Sequence, residues 1–284
     1  MRQVRASHYE PGNAGYPRRL TALGARRPSL HVQGTITDPP LAVAVVGARA
    51  ASADELRTSH ALAAHVATAG GVVVSGGALG VDAAAHRGAL EAGGATVVVV
   101  GTGLDIIYPD RHRGLFEAVV DRGGALVSMF PAGTPPRAGN FVRRNRVIAA
   151  LADLIVVVSA SARSGSLHTA RAAAELGRRV AAVPGSPGTQ ALIAAGAAVV
   201  ETGADLDLAL AGTPRRPARR ALRPDEQRVW DALDPAQPRD AGDVAAAAGV
   251  RLATALVLLS DLEAAGWIVP VAGAAYLRSP APAP

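Results

Sequence analysis

The sequence contains no cysteine and no lysine, and only 3% of its 284 residues are aromatic. The absence of cysteine excludes disulfide bonds, a thiol nucleophile and any metal or iron–sulfur site built on thiolates. Long hydrophobic runs are also missing, since runs such as Thr96–Val100 and Leu154–Val158 are far shorter than the ~20 residues of a membrane-spanning helix. No apolar segment follows Met1–Arg5, so no secretory signal is expected and the cytoplasm is the expected location.

All 29 basic residues are arginines, and together with 23 acidic residues they give a net charge of +6. Two interpretations are open: the composition that a GC-rich genome encodes, or a polyanionic partner, because clustered cations release counterions from phosphates. The excess lies in three clusters: Arg18, Arg19, Arg26 and Arg27; Arg137, Arg143, Arg144 and Arg146; Arg215, Arg216, Arg219, Arg220 and Arg223. The second cluster adjoins Phe141 within folded sequence and is the most interesting, whereas the third lies among prolines and is typical of a linker.

Between residues 41 and 210, short valine-rich runs alternate with segments typical of helices. Continuous apolar runs bounded by turn residues indicate strands that are buried on both faces of a parallel sheet. The predicted strands are Leu41–Val46, Val72–Val74, Thr96–Val100, Ala125–Ser128, Leu154–Val158, Val180–Val183 and Ala198–Val200. The predicted helices are Ala53–Ala69, Asp82–Ala92, Leu115–Arg122, Asn145–Leu151, Leu167–Leu176 and Gln190–Ala195. This alternation predicts a doubly wound α/β sheet with right-handed crossovers.

The chain is predicted to have two domains with irregular segments around them. Residues 1–35 are expected to be irregular, residues 36–212 to form the α/β domain, and residues 213–222 to be a Pro/Arg-rich linker. Residues 223–278 are predicted to form a winged-helix-like domain of three helices and a hairpin, and residues 279–284 a disordered tail. The predicted elements of the second domain are Pro224–Leu233, Asp240–Ala247, Leu252–Ala265, Trp267–Val271 and Ala274–Leu277.

Polar turns follow four of the predicted strands, at the sheet edge where open α/β folds bind ligands. In the first turn, Gly47 allows close approach of the backbone to a phosphate and Arg49 could contact it from the side. Ser52 follows as a candidate helix N-cap. The alternative interpretation of this turn is a tight loop with a solvated arginine.

The second turn is rich in glycine. Ser75, Gly76 and Gly77 lie between a strand and a helix and could present free N–H groups to an anion. Asp82 and His86 fall on one face of the following helix, which suggests a catalytic pair. A capping aspartate with a hydrogen-bonded histidine is the simpler interpretation.

The third and fourth turns combine an aromatic, several cations and small hydroxyl residues. Phe141 lies beside Arg143, Arg144, Asn145 and Arg146, which is the pairing of stacking and charge that single-stranded nucleic acid requires. A basic helix start with Phe141 packed inward is an equal alternative. The fourth turn could hold an anion at a helix N-terminus through Ser164, Gly165, Ser166 and Thr169, although helix capping alone would explain Ser166.

Taken together, these turns resemble the pattern of the DNA-processing protein A family (DprA, also called Smf). The matching residues cover positions 16 to 210 almost continuously: Tyr16-Pro17 with Leu20; Val46-Gly47-Ala48-Arg49 with Ser52; Ser75-Gly76 through Gly80 to Asp82 and His86; Gly101-Thr102-Gly103-Leu104-Asp105 with Tyr108-Pro109; Asn140-Phe141 with Arg144-Asn145-Arg146; Ser164-Gly165-Ser166 with Thr169; and Pro184-Gly185. The resemblance implies an extended Rossmann-like domain, often followed by a winged helix. It also implies single-stranded DNA binding, a homodimer, loading of RecA recombinase in natural transformation or recombination, no enzymatic turnover and no cofactor.

With this resemblance, phosphates are expected against three turns, Gly47–Arg49, Ser75–Gly77 and Ser164–Ser166, with Arg49 and Arg144 or Arg146 neutralising charge and Phe141 stacking on a base. The sequence departs from the family where Leu79 stands for arginine and where Met129 and Ser159 stand for glutamate. The segment after Pro184-Gly185 is also shorter, and the N-terminal helical module of many relatives is not seen.

Two rival functions are considered. Related Rossmann-like proteins cleave the N-glycosidic bond of nucleoside monophosphates, and Glu175 could serve as the acid, but the phosphate turn of such enzymes is missing. A transcription regulator is the other rival. Its recognition helix would offer Arg251 against Asp261 and Glu263, which is a poor surface for phosphate.

Overall fold

The protein is described by a computed structural model that covers residues 6–213, 222–264, 267–271 and 275–278. The chain divides into two compact units, residues 1–215 and 216–284, and each unit is described by itself. Of the predicted linker 213–222, only Thr213 and Leu222 fall within the described ranges. The predicted tail 279–284 lies outside them.

A mostly parallel sheet forms the centre of the first unit. Its strands run in the order β1-β2-β6-β5-β4-β3-β7-β8-β9, in which β3 to β9 are parallel and β1 and β2 are antiparallel additions. The strands are β1 (Ser7–Tyr9), β2 (Leu30–Gly34), β3 (Ala42–Val46), β4 (Val72–Ser75), β5 (Thr96–Val100), β6 (Ala125–Ser128), β7 (Leu154–Val157), β8 (Arg179–Ala182) and β9 (Ala198–Val199). The strand order reverses between β3 and β7, which confirms the predicted doubly wound fold.

Helices cover both faces of this sheet. They are α1 (Ala53–Thr68), α2 (Val81–Glu91), α3 (Arg113–Asp121), α4 (Ala138–Leu151), α5 (Ser166–Glu175), α6 (Pro187–Ala194) and α7 (Gly203–Ala211). Along β3, Val43 and Val45 pack in the core beneath α1 and α2, while Ala44 and Val46 pack in the core that includes α4 and α5. Because both sets of side chains are buried, the strand sequence is continuously apolar.

The N-terminal segment and the start of α4 differ from the prediction. Residues 1–35 were expected to be irregular, but they contribute β1, β2 and a 3-10 segment, Arg18–Arg26, whose Leu20 and Leu23 are buried in the core. The strand β2 pairs antiparallel with β6, and a pairing so distant in sequence leaves little local signal. Helix α4 begins at Ala138 rather than near Asn145. This start was missed because Phe141 and Val142 are adjacent in the sequence and do not by themselves show a helical period.

The described residues of the second unit form three helices and a small antiparallel sheet in the order β10-β12-β11. The elements are α8 (Pro224–Asp231), β10 (Arg239–Asp240), α9 (Ala241–Ala248), α10 (Leu252–Ala264), β11 (Ile268–Val271) and β12 (Ala275–Arg278). Val229, Leu259 and Leu262 are fully buried in its core. The three predicted helices and two predicted strands are found, and the short β10 was not predicted.

No single helix among the described residues is long and apolar enough to cross a membrane. The helix pair Ala241–Ala248 and Leu252–Glu263, bent by 105°, passes that test only by combined length and composition.

Candidate nucleic-acid interface

A cleft of about 370 Å³ opens at the carboxyl ends of β3 and β7, where the strand order reverses. Doubly wound folds bind ligands at this position because two loops diverge there and leave a crevice. Helix α4 and the start of α5 form its walls. The cleft is lined by Val46, Gly47, Arg49, Ala78, Asp82, Ala138, Phe141, Val142, Arg144, Asn145, Ile148, Arg163, Ser164, Gly165, Ser166, His168 and Thr169.

Gly47 and Arg49 lie in the turn after β3. A Cβ atom on Gly47 would lie 2.7 Å from Cγ2 of Val81 and 3.0 Å from the carbonyl oxygen of Ser159, so only glycine fits between β3 and its neighbours. Arg49 is exposed at the rim, and its guanidinium carbon lies 5.5 Å from the centre of the Phe141 ring. The turn therefore presents an exposed cation beside an aromatic ring.

Phe141 is half-buried in the first turn of α4. A Cβ atom on Gly101 would lie 2.6 Å from Cδ1 of Phe141, so the ring packs directly against the backbone after β5. Its centroid is 5.6 Å from that of Tyr108, with 36° between the ring planes, and Tyr108 is 41% exposed. We call Arg49, Tyr108 and Phe141 the aromatic platform. In the sequence, Tyr108 stands out only as part of the family pattern and no local signal marks it as a site residue.

Arg144 was predicted to contact phosphate, but the structure buries it at 4% exposure. Its Nη1 donates to the carbonyl oxygen of Gly76 at 2.6 Å and to that of Val99. Burial lowers the pKa of Arg144 to about 10. The negative charge of Asp82 raises this pKa, and the positive charge of Arg49 lowers it further. The guanidinium thus remains charged at neutral pH and ties α4 to the turn after β4 and to strand β5, so its role is structural.

The glycine-rich turn after β4 was predicted to bind an anion, and its N–H groups instead hold a carboxylate of the protein itself. Oδ2 of Asp82 accepts hydrogen bonds from the backbone N–H of Gly76 at 3.2 Å and of Ala78 at 3.3 Å. The hydroxyl of Ser75 is buried and donates to the carbonyl oxygen of Val45 at 2.6 Å. Ser75 and Gly76 are therefore not available to phosphate, and Gly77 is buried.

Asp82 and His86 do not form a catalytic pair. Burial raises the pKa of Asp82, while Arg144 and the hydrogen bonds of the turn act in the opposite direction. The His86 ring is fully buried, with Nδ1 2.8 Å from the hydroxyl of Thr96. Because that hydroxyl donates to the carbonyl oxygen of Val73, Nδ1 of His86 is the donor. The structure supports the simpler interpretation, in which both groups stabilise the fold.

The N-terminus of α5 forms the opposite wall of the cleft. The hydroxyls of Ser164 and Ser166 are 2.8 Å apart, and Thr169 is buried one turn further along the helix. Nδ2 of Asn145 donates to the carbonyl oxygen of Gly165 at 3.2 Å, which fixes α5 to α4. The structure therefore brings the fourth predicted turn together with Gly47, Arg49 and Phe141 in one cleft. The residues of that turn and its neighbour in the cleft are Ser164, Gly165, Ser166, Thr169 and Asn145.

Three other predicted site residues lie outside the cleft lining. Ser52 caps α1 by accepting from the backbone N–H of Glu55 at 3.2 Å. Arg143 and Arg146 lie on the far side of α4 from Phe141, because residues two and five positions along a helix do not share a face. The Arg143 guanidinium carbon lies 5.4 Å from the centre of the Phe130 ring, and Arg146 donates to Glu175 at 2.7 Å.

The sheet order and the position of the cleft define an extended Rossmann-like α/β protein. The family model for DNA recombination-mediator protein A matches residues 8–210, and the chain belongs to that family, which includes the proteins named DprA and Smf. The predicted family is thereby confirmed.

Relatives and solved structures agree with this assignment. The chain is 39% identical over 282 residues to Protein Smf of Escherichia coli, covering 93% of this chain and 75% of that protein. DprA of Streptococcus pneumoniae has a TM-score of 0.65 at 34% identity, over 71% of this chain and 73% of that one. DprA of Helicobacter pylori, whose structure concerns its single-stranded DNA binding mode, has a TM-score of 0.66 at 28% identity, over 74% and 98%. The chain spans between 46% and 75% of the length of the curated relatives it matches.

Proposed function

We propose that this chain binds single-stranded DNA in the cleft at the carboxyl ends of β3 and β7. One observation carries the proposal: the aromatic platform places two partly accessible rings, Tyr108 and Phe141, beside the exposed cation of Arg49. Single strands offer unstacked bases and a charged backbone, and this combination of rings and cations suits both. The binding of single-stranded DNA by the Helicobacter pylori relative supports the same proposal.

In this binding mode, bases stack on Phe141 and Tyr108, each stack contributing about 1–3 kcal/mol. Arg49 and Arg163, both exposed at the rim, neutralise phosphates. One phosphate lies at the N-terminus of α5, where the hydrogen-bonded hydroxyl pair of Ser164 and Ser166 keeps one O–H to add to the helix dipole. None of these groups reads base edges, so binding is expected to tolerate any sequence and to weaken steeply with salt.

The departures from the family pattern change this interface in limited ways. Leu79 lines the recess beside Tyr108 and supplies no charge there. Ser159 is buried and donates to Glu55 at 2.5 Å, so it faces α1 rather than the ligand. Of the exposed arginines Arg143 and Arg163, only Arg163 is among the residues that line the cleft.

The wider role is proposed from family membership. We propose that the protein mediates recombination without catalysing a reaction, by protecting single strands and loading RecA recombinase during natural transformation or recombination. A protein with this role would act in the cytoplasm, where the chromosome lies. A homodimer would align two clefts and lengthen a basic path that is short in one copy.

We also propose that the second unit is a winged helix. Its order of three helices with strands β10, β12 and β11 supports this. The exposed side of α10 carries Leu252, Leu256 and Val257. Because these side chains are apolar, phosphate docking along α10 is disfavoured. This argues against the second rival function, a transcription regulator that would use α10 as its recognition helix.

The rival hydrolase requires Glu175 as an acid near bound phosphate. Glu175 is the last residue of α5, at the opposite end from the cleft, and it is paired with Arg146 at 2.7 Å. No observation on the described residues favours that activity.

The proposal is tested with the variant Arg49→Ala and the control Arg18→Ala. Arg18 is 87% exposed and pairs with Asp38, which precedes β3 at the other edge of the sheet. Loss of one phosphate contact lowers the slope of log affinity against log salt by about 0.7 for single strands. We expect this change for Arg49→Ala and none for Arg18→Ala, measured by fluorescence anisotropy of a labelled oligothymidylate. Equal slopes in both variants would contradict the assignment of Arg49.

A further inference from the structure

A second basic groove lies on the other side of α4. It brings together two arginine clusters that are more than a hundred residues apart in the sequence: Arg26 comes from the 3-10 segment, and Arg143 and Arg146 come from α4. The groove measures about 260 Å³. Its remaining lining is uncharged and consists of Leu23, Pro28, Met129 and Val147.

The groove carries unbalanced positive charge. Arg26 and Arg143 are exposed, and within the described residues neither is paired with a carboxylate. The guanidinium of Arg143 is held over the Phe130 ring at 5.4 Å, so it is positioned but not neutralised. Of these three arginines Arg146 is paired, with Glu175, and the described residues that line the groove include no acidic one. Unpaired cations around an apolar floor favour a ligand with regularly spaced negative charge.

Only the width of one helix separates this groove from the cleft. Phe141, Asn145 and Ile148 face the cleft, whereas Arg143 and Val147 face the groove. A helix with its side chains is about 10–12 Å across, a distance that a few nucleotides can span. The first helical residues between the two sites, Ala138 to Asn140, are uncharged, and Arg137 is exposed immediately before them. No carboxylate among them would repel a strand that passes over this turn.

We infer that the groove binds the phosphates of a second stretch of the same single strand, which passes from the cleft over the first turn of α4. This inference rests on the proposed function. A nucleic-acid strand is favoured over an acidic peptide because the groove continues a cleft that already combines cations with stacking rings. The binding path would then involve Arg49, Arg163, Arg143 and Arg26 in one chain.

The test compares oligonucleotides of two lengths. A strand of about five nucleotides occupies the cleft alone, and one of about fifteen reaches the groove, within the range of sites known for single-strand binders. The double variant Arg26→Ala/Arg143→Ala should bind the short strand as the wild type does. For the long strand, its salt slope should fall by about 1.4, because each lost phosphate contact contributes about 0.7.

The matched control is Arg57→Ala/Arg87→Ala, which removes two exposed arginines from α1 and α2 on the opposite face of the sheet. This control should leave both lengths unaffected. The inference is overturned if the groove variant matches the control at both lengths, or if it weakens the short and long strands equally. It is also overturned if a polyglutamate peptide binds the wild type but not the groove variant, while the affinity of the long strand is the same for both proteins. Failure of the wild type to bind either strand would instead refute the proposed function.

Discussion

Replacement of Phe141 separates stacking from packing at the aromatic platform. The ring is half-buried, contacts the backbone at Gly101 and lies between Tyr108 and Arg49. Phe141→Leu keeps an apolar side chain against Gly101 and removes the flat ring. If a base stacks on this ring, about 1–3 kcal/mol of binding energy is lost, which corresponds to a fall in affinity of about 5-fold to 150-fold.

No charge is removed, so the slope of log affinity against log salt should stay the same. Anisotropy titrations at several salt concentrations measure both quantities, and thermal unfolding reports the stability of the variant. Phe141→Ala serves as the comparison, since it removes packing as well as stacking and should also lower the unfolding temperature. The reasoning is refuted if Phe141→Leu binds like the wild type while Phe141→Ala loses both stability and affinity, because the ring would then act only by packing.

Two further predictions concern the fold and the rival function. The pKa of His86 is lowered from 6.5 to about 3 by burial, so the folded state excludes a proton that the unfolded state takes up. Stability should therefore fall as the pH drops from 6.5 towards 3, by about 1.4 kcal/mol per pH unit from this residue, and chemical denaturation of His86→Asn should show a correspondingly shallower dependence. Incubation with nucleoside monophosphates should release no free base in a chromatographic assay; saturable release that disappears in Glu175→Ala would establish the hydrolase instead.

Local patterns carried much of the fold. The central strands β3 to β8 are short apolar runs bounded by turns, and all six end within one residue of the predicted position, as Leu154–Val157 does for the predicted Leu154–Val158. Residues 1–35 could not be predicted in this way, because β2 is stabilised by its distant partner β6. The start of α4 was equally hidden, since its two large apolar residues, Phe141 and Val142, are adjacent and show no helical period.

In the candidate site, too, local sequence patterns could be predicted and contacts between distant segments could not. Gly47, Arg49 and Phe141 could be placed together because the carboxyl ends of parallel strands share one edge of the sheet. What sequence could not show was the direction of each arginine and the partner of each N–H group. Arg144 is buried because it bonds to the carbonyl oxygens of Gly76 and Val99, which lie far from it in the chain, whereas Asp82 fills the glycine-rich turn from only six residues away.

The central claim is tested most directly by competition between single-stranded and double-stranded oligonucleotides of one sequence at matched salt. The account predicts that a labelled single strand stays bound when an equal concentration of duplex is added, because Tyr108 and Phe141 can stack only on bases that are not already paired. Displacement by the duplex at equal or lower concentration would contradict it.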